Sequence, residues 1–159
     1  MRVYTDASTR GKMSGLGYIA TDRHHNRLQQ GSVIINQCDN NTAELLAIIY
    51  AIDDTQNLLQ KNEKLLLFTD STYAIRAIRD NIFRPEEKPI IRKIQNLMEY
   101  SDYRLFWIKG HCQDGTVLSY YNKKVDKLAK GVRVEYEKDI IKQKRLQNLI
   151  KQNKDNRHE

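Results

Sequence analysis

At 159 residues, 40% hydrophobic and 30% charged, the chain is the size of one domain and can bury a core, which excludes a disordered segment. Its apolar runs fall well short of the roughly 20 residues that span a membrane, and two isolated cysteines, Cys38 and Cys112, support neither a disulfide framework nor a zinc site. The formal net charge of +7 points to a polyanionic partner such as nucleic acid, while saying nothing about fold.

The first residues enter strand-like sequence directly, without a secretory pattern, so a cytoplasmic setting is the expectation. "RVYTD" is short, β-rich and ends in an acid; "GLGYIATD", then "HHN", then "RLQQGSVIIN" reads as strand, tight turn, strand. These three form an antiparallel meander. "NNTAELLAIIYAIDDTQNLL" carries Leu45, Ile48, Ile49 and Ile52 at helical spacing, with Asn41 or Thr42 as N-cap. "KLLLFTD" lacks alternation, so this strand has both faces covered, as in the middle of a sheet flanked by helices.

"STYAIRAIRDNIF" is helical and "RPEEKP" breaks it. A helix "IIRKIQNLMEY" leads to the strand "YRLFWI", in which Phe106 and Trp107 read as core residues. The loop "KGHCQDGTVLSYY" precedes a last charged helix starting near Asn122. The order βββαβααβα describes an α/β fold: a five-stranded mixed sheet, three antiparallel strands then parallel ones, flanked by helices.

In such sheets ligands collect beyond the carboxyl ends of strands. Asp6 ends the first strand and Asp70 the fourth; Glu44 lies in the first turn of the helix between them, and Asp126 in the first turns of the last helix. Parallel neighbours joined by a right-handed crossover bring these acids to one edge. Singly, each has an ordinary explanation: a turn or cap for Asp6, an N-cap for Asp70, a capping-box partner for Glu44, a solvated helix acid for Asp126. Together they must be protonated or neutralised by a cation. An oxygen-only cluster suits Mg²⁺ or Mn²⁺ and not zinc, and two such ions beside a basic surface would clamp a phosphodiester.

"YTDAS" with "GLGYIA", "NNTAELLAI", "LLLFTDSTYAI" and "FWIKGHCQDG…YYNKKVDKLAKG" resemble, in order and local context, the type 1 ribonuclease H family, over residues 2 to 131. The resemblance implies the RNase H-like fold and an endonuclease that cuts the RNA strand of an RNA–DNA hybrid, leaving 5′-phosphate and 3′-hydroxyl ends with Mg²⁺ as cofactor. By motif, the family's metal-binding acids fall on Asp6, Glu44, Asp70 and Asp126, and its flexible-loop histidine, serving proton movement and product release, on His111. Asn40 and Asn41 are the candidates for reading 2′-hydroxyls and hybrid shape, with Ser71 and Thr72 as further substrate contacts. The expected partner is a hybrid duplex met by a monomer, away from any membrane.

Three features depart from the family pattern. The loop from His111 to Asp126 is long and ends in Lys123 and Lys124 where an acid is usual; no basic insertion separates "IRAIRDNIF" from "IIRKIQNLM". The third is the tail. Residues 1–134 are expected to form the catalytic domain, and residues 135–159 a basic helical extension packed on it, with Ile140, Ile141, Leu146, Leu149 and Ile150 at amphipathic spacing. Over residues 131–159, eight Lys or Arg face five Asp or Glu, leaving net +3 there and +4 elsewhere. Lysines of this tail are candidates to grip substrate. Two alternatives stand beside the main reading: another metal-dependent nuclease on the same fold, or a catalytically weak hybrid-binding module. Four convergent carboxylates that repel phosphate argue against the latter.

Overall fold

The computed structural model describes residues 1–37, 39–100 and 102–158. The reading of Cys38 as an isolated thiol lies outside the described residues. Strands β1 (Arg2–Arg10), β2 (Met13–Thr21) and β3 (Arg27–Ile35) form the expected antiparallel meander; β1 runs four residues past "RVYTD" and β2 begins two residues before "GLGYIATD". Gly11, at φ 60°, supplies the left-handed residue of the β1–β2 turn. At the β2–β3 turn, Asp22 Oδ1 accepts the backbone N–H groups of His24 at 2.8 Å and Asn26 at 2.9 Å, a side-chain substitute for ladder pairing.

Helix α1 (Asn40–Thr55) carries the chain to β4 (Leu65–Thr69), which pairs in parallel with β1; α2 (Thr72–Asp80) and α3 (Lys88–Tyr100) lead to β5 (Tyr103–Trp107), parallel to β4. Strand order is β3-β2-β1-β4-β5, so β4 is interior, and its Leu65, Leu67 and Phe68 are buried. The non-alternating run "LLLFT" is thereby explained: both of its faces are covered.

One face packs Val3, Ala20 and Leu67 against Leu45, Ile48 and Ile52 of α1 and Ile91 and Ile94 of α3. Each fully buried Val, Leu or Ile among them contributes about 1.5–3 kcal/mol. The opposite face carries Tyr4, stacked between Phe68 at 5.1 Å and Tyr121 at 5.0 Å, under helix α4 (Val117–Asn156). Two glycines of "GLGY" make room for this helix. A Cβ on Gly15 would lie 2.0 Å from Ala129 O, and one on Gly17 3.1 Å from Ala129 N.

Helix α4 starts at Val117, ahead of the expected Asn122, because Thr116 caps it by accepting the Ser119 N–H at 3.2 Å. It then runs unbroken for 40 residues. Tyr121 donates to His25 O at the β2–β3 turn, Arg133 donates to Ser8 Oγ, and Tyr136 and Ile140 lie beside Arg10 and Met13 at the β1–β2 turn. The helix therefore crosses the sheet along the direction of β1 and leaves it past the turn. Packing of residues 135–159 on the domain was expected; it stops near Ile140, and residues 141–158 are exposed. Among the described residues no helix is long and apolar enough to cross a membrane.

Candidate active site

Contrary to expectation, Asp6 does not end β1, because antiparallel pairing with β2 carries the strand on to Arg10. It lies mid-strand, just past the last β1–β4 pair, on the same face as Tyr4 and Ser8, the face under α4, and is 4% exposed. Its Oδ1 accepts the Ala7 N–H at 2.9 Å. Asp70 follows the last residue of β4 directly. The cap of α2 is not Asp70 but Ser71, whose Oγ accepts the Ala74 N–H at 3.0 Å, so the Asp70 carboxylate is free of capping duty. Likewise, neither Asn41 nor Thr42 caps α1: Asp39 does, accepting the Thr42 N–H at 3.0 Å. A carboxylate outcompetes an amide or hydroxyl there, and Arg84 holds it at 2.7 Å.

One helical turn beyond that cap, Glu44 is 5% exposed, and its Oε2 has no hydrogen-bond partner. Carboxylate oxygens of Asp6, Glu44 and Asp70 all lie within 4.8 Å of one another. Burial drives the Asp6 carboxyl far above its ordinary range, and the charges of Glu44, Asp70 and Asp126 push it further. Glu44 is raised by burial and then by Asp70; Asp70 is raised by burial, against a hydrogen bond from Asn122 that favours its charged form.

This set of donors fits a hard divalent cation. All three are oxygen ligands, one buried carboxylate oxygen is orphaned, and a positive charge placed among them would relieve the repulsion. Gly110 keeps the space open: a Cβ there would lie 2.9 Å from Asp70 Oδ2. Asp126 stands at the rim of the triad. Its side chain is 23% exposed and pairs with Lys130 at 3.0 Å, yet it is near enough to Asp6 and Asp70 to raise both.

Two clefts meet at Asp70 and His111. One is bounded by Asn122, Lys123, Asp126 and Lys127; the other by Asn40, Asn41, Glu44, Ser71 and Thr72. Glu44, Asp70, His111, Asp126, Asn40, Asn41, Ser71 and Thr72 thus line one continuous surface, with the side chains of Asn40 and Asn41 exposed; Asp6 is buried behind it, and the tail lysines lie outside both clefts. His111, exposed, takes a left-handed φ of 53° immediately after Gly110.

Phe106 and Trp107 depart from expectation. They are 38% and 47% exposed, because β5 is an edge strand and α4 lies over β1 to β3. Phe106 stacks on Phe68, and Trp107 Nε1 donates to the backbone carbonyl of Asp70 at 3.1 Å, bracing the β4 tip. Two further residues were missed. Asn122, 4% exposed, donates to Asp70 Oδ2, and its position four residues before Asp126 on one helix could have flagged it. Glu87 is buried within the expected helix break, where it accepts hydrogen bonds from Tyr73, Thr42 and Arg84 and so ties the starts of α1 and α2 together. Nothing local in "RPEEKP" distinguishes it from Glu86.

A family model described as RNase H matches residues 1–133. Among solved structures, the chain is similar to LC11-RNase H1, isolated from compost by a metagenomic approach, at 26% identity and TM-score 0.69, covering 82% of this chain and 93% of that one. A structure of LC11-RNase H1 in complex with RNA/DNA hybrid matches at 23% identity and TM-score 0.69, over 82% of this chain and 94% of that one. The N-terminal RNase H domain of a Mycobacterium tuberculosis protein, solved as a fusion with maltose-binding protein, matches at 18% identity and TM-score 0.69, over 87% and 98%. Among curated proteins none matches significantly.

Proposed function

Because this chain belongs to the ribonuclease H family, type 1, we propose that it hydrolyses the RNA strand of RNA–DNA hybrids at the Asp6–Glu44–Asp70 centre, leaving 5′-phosphate and 3′-hydroxyl ends. The observation that carries the reading is the convergence of three acids with a buried Glu44 oxygen that no protein group satisfies. Asp6, Glu44 and Asp70, with Asp126 at the rim, would hold two Mg²⁺ ions, with Mn²⁺ as a substitute. Bound there, the ions supply an activated water and neutralise charge at the leaving oxygen.

The chain's own residues do the rest. Lys123 and Lys127 draw the phosphate backbone to the cleft beside Asp126. Asn40 and Asn41, relieved of capping by Asp39, offer amides toward the minor groove, where 2′-hydroxyls distinguish RNA from DNA. Thr72 is free to join them, while Ser71 is held by the Ala74 N–H at its hydroxyl and by Thr69 Oγ1 at its own N–H, and so fixes the start of α2 beneath the substrate. His111, between the clefts, carries a proton to the departing 3′-oxygen or aids product exit. The monomer is the working unit in this reading, and the setting is cytoplasmic.

The test is cleavage of an end-labelled hybrid beside duplex DNA and duplex RNA, with Mg²⁺, with Mn²⁺ and with chelator. The expected result is metal-dependent scission of the RNA strand of the hybrid alone. An RNA strand left intact with both metals would overturn the reading.

A further inference from the structure

Helix α4 begins at the active-site cleft, with Asn122, Lys123, Asp126 and Lys127 lining it, and continues without interruption to Asn156. At a rise of about 1.5 Å per residue, Lys142 lies roughly 24 Å and Lys154 roughly 42 Å along the axis from Asp126. Past Ile141, which still lines a groove with Arg10 and Met13 at the β1–β2 turn, the helix has left the sheet, and residues 141–158 are exposed.

The exposed segment holds Lys142, Lys144, Arg145, Lys151, Lys154 and Arg157 against a single acid, Asp155, so it carries net +5 of the chain's +7. Among the described residues none of these six cations makes an ion pair; upstream on the same helix, Lys130 pairs with Asp126 and Arg133 with Glu137. Bare like charges on a projecting rod repel one another and gain nothing for folding. They do attract phosphates, and the released counterions drive binding.

We propose that residues 141–158 form a rigid arm that binds the sugar–phosphate backbone of the duplex whose RNA strand occupies the active site, an inference that rests on the hybrid-nuclease reading. Continuity with the Asp126 end of α4 holds the arm at a fixed distance from the acids. Its contacts are to phosphate, so the arm adds affinity without sequence preference and serves the DNA and RNA strands alike. The same segment exposes Leu146, Leu149 and Ile150 beyond half of their surface. Pairing of two copies through this stripe is disfavoured by the repulsion between two +5 rods and becomes an alternative outcome of the test.

The full chain is compared with K142Q/K144Q/R145Q/K151Q, in which glutamine keeps helix propensity while removing charge. Far-UV circular dichroism checks that the helix persists, and light scattering reports the oligomeric state. Steady-state cleavage of a 30-base-pair hybrid is then measured across a salt series. The expected result is a KM raised on the order of tenfold, kcat retained, and a salt slope shallower by up to about 3.6, from four phosphates at ~0.9 each. Unchanged KM and slope in a fully helical variant would overturn the arm while leaving the nuclease reading intact. A dimer of the full chain that the substitutions dissolve, with unchanged slope, would overturn it in favour of self-association. Absence of cleavage by the full chain would instead sink the nuclease reading; the arm is then judged by anisotropy with the same hybrid, where equal affinities overturn it.

Discussion

Asn122 Nδ2 donates to Asp70 Oδ2 at 3.4 Å, tying the second turn of α4 to the tip of β4, while the amide oxygen of Asn122 is buried without a partner. This one contact connects the two elements that bring Asp70 and Asp126 to the same cleft, and it favours the ionised form of Asp70. Replacing Asn122 with Ala should weaken metal-dependent cleavage by roughly ten- to a hundredfold, as loss of a ligand-orienting partner does, with most of the loss recovered at high metal concentration. Activity titrated against Mg²⁺ checks this; an unchanged metal midpoint would mean that the contact does not orient the acid.

Asp70→Asn should abolish cleavage while the metal-free protein holds or gains stability, since one of three repelling carboxylates is made neutral. Thermal unfolding in chelator measures it. A clear fall in Tm would show that the carboxylate is structural, an outcome the Ser71 cap argues against.

The pH dependence has a definite sign. Asp6, Glu44 and Asp70 have folded-state pKa values raised above the unfolded ones, so the folded state holds extra protons. Without metal, stability is greatest below the ordinary carboxylate range near pH 4 as far as these groups are concerned. It falls as pH rises above that, at up to about 1.4 kcal/mol per pH unit for each group in its window. Glu87 and Asp39 act oppositely. Their pKa values are lowered, Asp39 to about 2, so their stabilisation is present above pH 4–5 and lost on acidification. Urea unfolding from pH 3 to 9 should show a maximum in mildly acid solution with chelator, and saturating Mg²⁺ should flatten the alkaline limb.

Glu87→Ala should cost about 2–4 kcal/mol, because Tyr73, Thr42 and Arg84 lose their shared acceptor at a residue only 1% exposed. It should also slow cleavage, since Thr42 leads into Glu44 and Tyr73 follows Asp70 by three residues. Tyr73→Phe, which removes one donor, should cost about 1 kcal/mol. Urea titration orders the two.

His111→Gly and His111→Ala separate imidazole from backbone. Both should leave a slower, surviving enzyme, but alanine pays ~1–2 kcal/mol more for a left-handed φ of 53°, so its loop should sit less well and its rate fall further. Equal rates for the two would locate the whole effect in the ring.

How much of this was legible in the sequence varies by element. The βββαβααβα order, the interior place of "LLLFT" and the meeting of Asp6, Glu44 and Asp70 follow from periodicity and from the acids after "RVYT" and "LLLFT" and near the helix start, although Asp6 does not end its strand: β1 pairs with β2 as far as Arg10. Caps were misassigned because Asn41, Thr42 and Asp39 are all competent; the choice is made by Arg84, 45 residues downstream of Asp39. Phe106 and Trp107 look like core by residue type, and only the lateral reach of α4 decides that they are not. The extension expected over residues 135–159 is not a separate helix: α4 runs through Gly131 without a break, carried by the good helix formers after it. Burial of Glu87 depends on Tyr73 and Thr42, partners that no short window contains.

The unbroken hydrogen-bond ladder of α4 makes the angular phase of its far end a property of the active site. One residue inserted between Gly131 and Ile140 would turn every later cation by about 100° and advance it by about 1.5 Å, whereas seven would restore the phase within ~20° and move the charges about 10 Å outward. Natural length changes in this stretch are thus expected in whole turns, as in a screw whose thread must re-engage.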